Sequence, residues 1–514
     1  MSTVNSKVDT EEVFIASVPD MNNIDDILVR IGEEPDENGG VKEFLCEIFK
    51  RHGASLTIVC EKNYVDRVYR DTYYNYFAVK YRSVSRDCKR LFIFSGALTI
   101  DDFLSYDNKS EDSLQEHFIG VTVLKPLAHG KIGRTLLAPD KMNVYAYVRA
   151  TEFSFFLFGH ELTVEAFPYS QQDGEMMTCA ETTIWNILEY YGTRYPEYRT
   201  VLPSEMLHLM EQNTCERNLP SKGLLLYDIS FLMKKFGFSP RIYSKGKDRD
   251  VSRFHRMFHY YVESGFPLAV AVTSDKLGHA VVCVGHEKLS DVSGEHINDL
   301  DFLRLRDYPC INSADMYDRY VMVDDNQFPY QVESFDEFTL YSREGAKVDC
   351  FVVPLPKRVF LEAMVAENIA RSILGDASLG LSYWGEEAGL NVNRDNPLVF
   401  RLFLTSARKY RGVRIRNSGT DSKAQKFYGR LSLPRFVWVA EFAKKSDYDA
   451  GMIAGEVVID ATSVINVRPT DSVIFIRYCN IFLQYRNNWK KRYTDNAEPY
   501  PVYENNLRLC GGGQ

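Results

Sequence analysis

Gln171-Gln172-Asp173-Gly174-Glu175-Met176-Met177-Thr178-Cys179-Ala180-Glu181-Thr182-Thr183-Ile184-Trp185 is the stretch on which the reading of this chain turns. A polar loop containing Gly174 runs into an amphipathic helix pattern, Cys179 to Tyr191, closed by Gly192. The cysteine therefore falls in the first helical turn. Backbone N–H groups there lack intrahelical acceptors, and the helix presents its positive end. Thiolate is the nucleophilic form of cysteine, and a free thiol reaches it only around pH 8.5. A helix N-terminus favours that anion. Ala180 leaves room for a carbonyl beside the sulfur. Gln172 lies seven residues before Cys179. Its amide can fold back and, with the Cys179 N–H, form an oxyanion hole. Gln171 is the alternative donor, less favoured by spacing.

Two further segments supply what a thiol nucleophile requires. In Lys276-Leu277-Gly278-His279-Ala280-Val281-Val282-Cys283-Val284-Gly285-His286, a Gly-His pair opens an apolar strand. A histidine at a strand end can reach a neighbouring helix terminus, and Gly278 permits close backbone approach. In Tyr320-Val321-Met322-Val323-Asp324-Asp325-Asn326-Gln327, an apolar strand ends in two acids and an amide. One of them can accept the far imidazole N–H and fix the tautomer.

The order of glutamine, helix-borne cysteine, Gly-His on a strand and acid after the next strand resembles the papain superfamily of cysteine peptidases. It is most similar to bacterial C39-like peptidases, over about residues 170–355. Pro220-Ser221-Lys222-Gly223-Leu224, followed by a helix ending at Gly237, also looks like that family's region between cysteine and histidine. The resemblance implies Cys179 as nucleophile, His279 as general base, Gln172 as oxyanion donor and Asp325 as orienting acid, with Asp324 the alternate. It implies a peptide or protein substrate and no metal or organic cofactor. One departure stands out: six residues, not five, separate Gln172 from Cys179.

Other readings compete. Asp324 and Asp325 with His279 and His286 could ligate a metal, but the spacing fits no metal template. Acyl transfer to an amine, as in transglutaminases and amidases, uses the same Cys-His-Asp order. A non-catalytic scaffold on a peptidase fold is the third. Tyr64 to Tyr81 interleaves tyrosines with Arg67, Arg70 and Lys80, as single-strand stacking platforms do. Asp66 and Asp71 dilute that charge, and a half-buried helix or strand face is the simpler reading. Trp489-Lys490-Lys491-Arg492 reads as solvated surface. Leu507-Arg508-Leu509-Cys510-Gly511-Gly512 is similar to the tail of ubiquitin-like modifiers, a coincidence on a chain of this size.

Outward from these motifs, 514 residues suggest about three domains. Residues 1–165 read as mixed α/β, 166–356 as a papain-like α+β core with a helical half and an antiparallel sheet, and 357–514 as a β-containing accessory block. The Gly511–Gln514 tail is expected to be flexible. A net charge of −9 argues against a dedicated nucleic-acid binder. The polar N-terminus, Met1 to Asp9, has no apolar signal region, and no stretch is long enough to span a membrane. The expectation is a cytoplasmic protein. The ten cysteines form no CxxC pair, so they read as free thiols.

Overall fold

The computed structural model describes residues 12–33, 40–53, 55–214, 218–246, 251–274, 278–289, 303–305, 308–340, 343–387, 390–464, 468–486, 488–495 and 498–511. Met1–Asp9, the acidic stretch 34–39, Cys215, Lys276-Leu277 and the residues from Gly512 lie outside the described residues.

Five antiparallel strands lie in chain order in a first sheet: β1 (Val13–Val18), β2 (Leu56–Tyr64), β3 (Cys88–Ser95), β4 (Phe118–Leu124) and β5 (Ile132–Leu137). Successive side chains point to opposite faces. Ile58, Cys60, Leu91 and Ile93 pack toward α1 (Ile24–Ile31) and α2 (Val41–His52). The tyrosine-rich run folds as α3 (Arg67–Asn75) and a following 3-10 turn. Tyr69 and Phe77 are buried while Tyr74 and Tyr81 are exposed, so one face serves the core. Two short helices follow, α4 (Ile100–Phe103) and α5 (Asn108–His117). β6 (Ala146–Val148) leaves for the central sheet, and the hairpin β7 (Thr151–Leu157)–β8 (His160–Ala166) covers Val59, Phe92 and Phe94.

The middle of the chain opens with α6 (Cys179–Arg194), α7 (Pro203–Glu211), α8 (Leu226–Lys235) and α9 (Val251–Glu263). Its strands are β9 (Arg241–Ser244), β10 (Leu268–Thr273), β11 (Gly278–Glu287), β12 (Leu303–Leu305), β13 (Tyr308–Asn312), β14 (Arg319–Val323), β15 (Gln331–Ser334), β16 (Phe338–Leu340) and β17 (Arg343–Val353). The central sheet runs β15-β14-β11-β10-β17-β16, with β9 on β17 and β6 on β11. Ala280, Val282 and Val284 of β11 face Ala180, Ile184 and Ile187 of α6. Val281 and Cys283 face Phe254, Met257 and Phe258 of α9. Coverage of both faces is why β11 reads as an unbroken apolar run and not as an alternating one.

The last third adds β18 (Leu398–Ser406), β19 (Phe436–Lys444), β20 (Met452–Ile453), β21 (Gly455–Asp460), β22 (Val473–Tyr478), β23 (Ile481–Arg486), β24 (Asn488–Tyr493), β25 (Tyr500–Pro501) and β26 (Arg508–Leu509). A third sheet runs β12-β13-β18-β19-β21-β22-β23-β24, antiparallel except for β13 against β18. α9 and the helix Ala363–Leu374 fill the space between the central and third sheets. The helices Ala407–Asn417 and Ser422–Arg430 close the third sheet's outer face through Tyr410, Val413, Phe427 and Tyr428.

The result is an α+β architecture of largely antiparallel sheets. The boundaries drawn at 165 and 356 are not core boundaries. One continuous core joins α1, α2, α6 and one face of the central sheet, and a second joins the other face to the third sheet. β6 and β26 extend the central sheet from both flanking blocks, and β12 and β13 leave the middle block for the third sheet. Gly192 does not end α6 either. A Cβ there would stand 2.3 Å from the Arg199 carbonyl carbon, so this glycine admits a crossing chain while the helix continues to Arg194. Among the described residues no helix is long and apolar enough to cross a membrane.

Candidate functional site

Cys179 is the first residue of α6, and the start of the helix is tightly specified. Thr178 caps it in a reciprocal box with Glu181, whose carboxylate accepts from the Thr178 N–H at 3.2 Å and from its hydroxyl. Ser221 donates to the other Glu181 oxygen at 2.5 Å, which ties the segment after Pro220 to the same turn. Before the helix, Asp173 Oδ1 accepts from the N–H groups of Glu175, Met176 and Met177 at 2.9, 2.8 and 2.9 Å. One carboxylate thus folds the loop that delivers the cysteine. Sequence reasoning did not single out Asp173; an Asp immediately before Gly174 is the turn signal that marks it.

The first block holds this loop from below. Lys125 Nζ donates to the Gln171 carbonyl at 2.9 Å, and the Ile132 N–H donates to Gln171 Oε1 at 3.1 Å. Tyr76 and Lys80 both engage the Glu175 carboxylate. Gly130, at φ +59°, lies so close to Gln172 that a Cβ would stand 1.9 Å from its carbonyl oxygen. Gln171 is therefore committed to β5. The Gln172 amide instead reaches across to Asn326 Oδ1 at 2.9 Å.

His279 opens β11, where it pairs with Val272 of β10. The antiparallel register of Val282 with Val323 carries the residues after β14 back toward the start of β11. Asp324 and Asp325 therefore arrive beside the imidazole. Asp324 Oδ1 lies 2.7 Å from His279 Nε2 and also accepts from the Asn326 N–H at 2.9 Å. Asp325 Oδ1 is 3.4 Å from the same nitrogen. Cys179 acts on the ring from α6 and favours its protonated form. With Nε2 facing the carboxylates, Nδ1 is the nitrogen left for the thiol. With Nε2–H donating to Asp324, the Asn326 amide nitrogen donates to Asp325 Oδ1 at 3.2 Å.

The order of the two acids differs from the expectation. Asp324, the alternate, makes the short hydrogen bond, and Asp325, the first choice, is the farther. The strand's last residue is Val323, so the next residue still has the reach of the sheet edge while Asp325 is turned aside. Asn326, in the sequence only one of three groups able to accept the imidazole N–H, bridges Gln172 to both acids. Its signal was the amide closing the Asp-Asp pair.

The electrostatics follow from burial. His279 and Asp324 side chains are 0% and 2% exposed. Burial alone would lower the His279 pKa, but hydrogen bonds to Asp324 and Cys179 and the two carboxylate charges outweigh it and hold the ring up to about 10. Burial pushes the Asp325 carboxyl up to about 8, and the Asp324 charge opposes a second anion beside it. Its Oδ2 is buried with no hydrogen-bond partner. At neutral pH the ring is therefore an imidazolium and the Asp325 carboxyl keeps its proton.

His279, Asp324 and Asp325 also offer donor atoms within 4.8 Å of one another, a spacing that could hold a cation. Asp324 Oδ1, however, already accepts two hydrogen bonds. His286 does not join this group. It bonds Glu263 at 2.9 Å at the far end of β11. The described cysteines are free thiols; Cys46 and Cys179 are half-buried and the others buried. Beside the Cys179 loop, a cavity of about 340 Å³ is walled by Met177, Met206, Leu224, Leu225 and Gly223.

The chain matches no protein-family model and no curated protein.

Proposed function

We propose that this protein is a papain-like cysteine peptidase that hydrolyses a peptide or isopeptide bond. The observation that carries the reading is His279, held between a helix-N-terminal thiol and a buried carboxylate. An imidazolium next to a thiol at a helix N-terminus favours the thiolate. Cys179 Sγ attacks the substrate carbonyl carbon, and the oxyanion is held by the Cys179 N–H and the Gln172 amide. His279 delivers its proton to the leaving amine as the C–N bond breaks, leaving a thioester. Water, deprotonated by the neutral ring, then releases the acid and regenerates the thiol. Asp324 keeps the proton on Nε2 and so keeps Nδ1 directed at sulfur. The cavity beside the cysteine loop, where Met177, Met206 and Leu224 stand with Glu181, Lys222 and Asp228, offers a substrate side chain both apolar and polar contacts.

The test is the pH dependence of iodoacetamide alkylation, mapped by peptide mass, in wild type and His279→Ala. Cys179 should react at pH 6 roughly tenfold or more faster than Cys46, the other half-buried thiol, and lose that advantage in His279→Ala. The advantage should survive EDTA. Reaction no faster than at Cys46 would sink the proposal, and loss of the advantage on chelation would favour the metal reading of the same three side chains.

A further inference from the structure

At the opposite end of α6 from Cys179 lies a second cavity, of about 590 Å³. The 16-residue helix places it roughly 24 Å from the thiol along the axis. Its walls come from the C-terminal end of α6, the turn after α9, the segment after β17 and the end of β18. A volume of this size is in the range of small-molecule sites, roughly 300–1,000 Å³.

Its charge is unlike that of the rest of the chain. Arg149, Arg194, Lys357, Arg358, Lys409 and Arg435 line it, in a protein of net charge −9. The one lining carboxylate among the described residues, Glu197, is paired with Arg435. Among the described residues, none of the other five cations has an ion-pair partner. Arg149 donates to neutral acceptors, the Tyr195 hydroxyl at 2.7 Å and the Asn506 carbonyl at 2.6 Å. Arg194 donates to the Ala150 carbonyl at 3.0 Å, and Lys409 to the Asn505 carbonyl at 3.1 Å. Burial, and then the charges of Arg149 and Arg194, pull the Lys409 ammonium down to about 8. Like charges gathered in a concavity whose lining carboxylate is already paired are the complement of an anionic ligand. The helix Ala407–Asn417 begins at the same wall, with Thr405 and Ser406 facing the cavity, and adds its positive end.

The remaining wall is aromatic. Tyr195, Tyr198, Phe266 and Phe436 line it. Tyr198 is held by stacking on Phe238 at 4.3 Å, and the Arg435 guanidinium lies 5.6 Å from the centre of the Phe436 ring. Such surfaces accept a flat ring.

We infer that this cavity binds a nucleotide-like ligand, its phosphates held by Arg194, Lys357, Arg358 and Lys409 and its planar ring lying against the aromatic wall. The site is separate from the Cys179 cluster and does not depend on it.

Isothermal titration of the full chain with AMP, ADP, ATP and GTP, and with pyrophosphate and adenosine alone, tests this. At least one nucleotide should bind, more tightly than either fragment. The double variant K357E/R358E, both sites exposed, should weaken that binding roughly tenfold or more while melting at the wild-type temperature without ligand. Should the double variant melt lower, Phe436→Leu provides the second reading, losing preference for nucleotide over pyrophosphate. No nucleotide binding up to about 1 mM, equal binding of pyrophosphate and ADP, or affinity unchanged in both variants would each overturn the inference.

Discussion

His279 touches a thiol on one side and two unequal carboxylates on the other, and the inequality makes a distinction that activity alone would miss. Asp324 is the short contact, at 2.7 Å, and its charge and acceptor both act on the ring. Asp325 retains its proton to about pH 8, so at pH 6 an amide in its place removes no charge. Asp324→Asn should therefore slow alkylation of Cys179 at pH 6 roughly tenfold or more, and turnover in the proposed peptidase reaction by about 10²–10⁴-fold. Asp325→Asn should leave the pH 6 rate near wild type and depart from it only above about pH 8. Equal losses at pH 6 in both variants would mean that Asp325 is ionised in the folded protein and would reverse the assignment. Rate-versus-pH curves for both variants decide the matter.

Among the elements, the loop before α6 is the one most constrained from outside itself. Asp173 gathers three N–H groups, and the turn carrying Gly130 supports the Gln172 carbonyl. Gly130→Ala places a Cβ within 1.9 Å of that oxygen at a left-handed φ, whereas Gly419→Ala meets nothing within 4 Å at a similar φ. The Gly419 variant should lose about 1–2 kcal/mol, the cost of the backbone conformation alone. Gly130→Ala should lose about 1–3 kcal/mol more from overpacking. It should also lower turnover, because displaced backbone carries the Gln172 amide with it. Urea unfolding of the two variants makes the comparison; equal costs would show that the Gly130 turn does not support the loop.

Across the whole molecule, buried charges join the layers. Glu263 of α9 pairs with Arg401 of β18 and His286 of β11, and Arg401 continues through Glu441 to Arg414. Burial opposes ionisation of Glu263, yet Arg401 and His286 hold its carboxyl well below the usual range. Burial pulls His255 down to about 4, and His259 well below its usual value. Below about pH 6.5 the unfolded chain takes up protons that His255 and His259 refuse, so their contribution is lost as pH falls from 6.5 toward 4. His279 has the opposite sign. Its contribution is complete below about 6.5 and is lost as pH rises toward 10. Each proton contributes a slope of about 1.4 kcal/mol per pH unit. Melting temperature should therefore peak near pH 6.5, with the acid limb shallower in His255→Gln and the alkaline limb shallower in His279→Gln. A profile flat from pH 5 to 9 would contradict the buried-histidine account.

What the chain's one-dimensional order determined is local. A cysteine at a helix start, a Gly-His opening an apolar run and acids closing another are each set by neighbours a few residues away. The elements carrying them were therefore legible: α6, β11 and β14 begin within a residue of where hydrophobic periodicity and turn residues put them. Other features required long-range packing. Asp324 and not Asp325 meets the ring because strand register, set by Val282 against Val323, decides which side chain returns to the edge. Gly192 reads as a helix stop but is a crossing point, since only the chain at Arg199, folded back, reveals the contact. The block boundaries dissolved for the same reason, since a hydrophobic core has no memory of sequence order and takes β6, β13 and β26 wherever an edge is open. The cation-lined cavity was invisible because its six charges come from five separate stretches of chain, and only their convergence leaves positive charge without a partner.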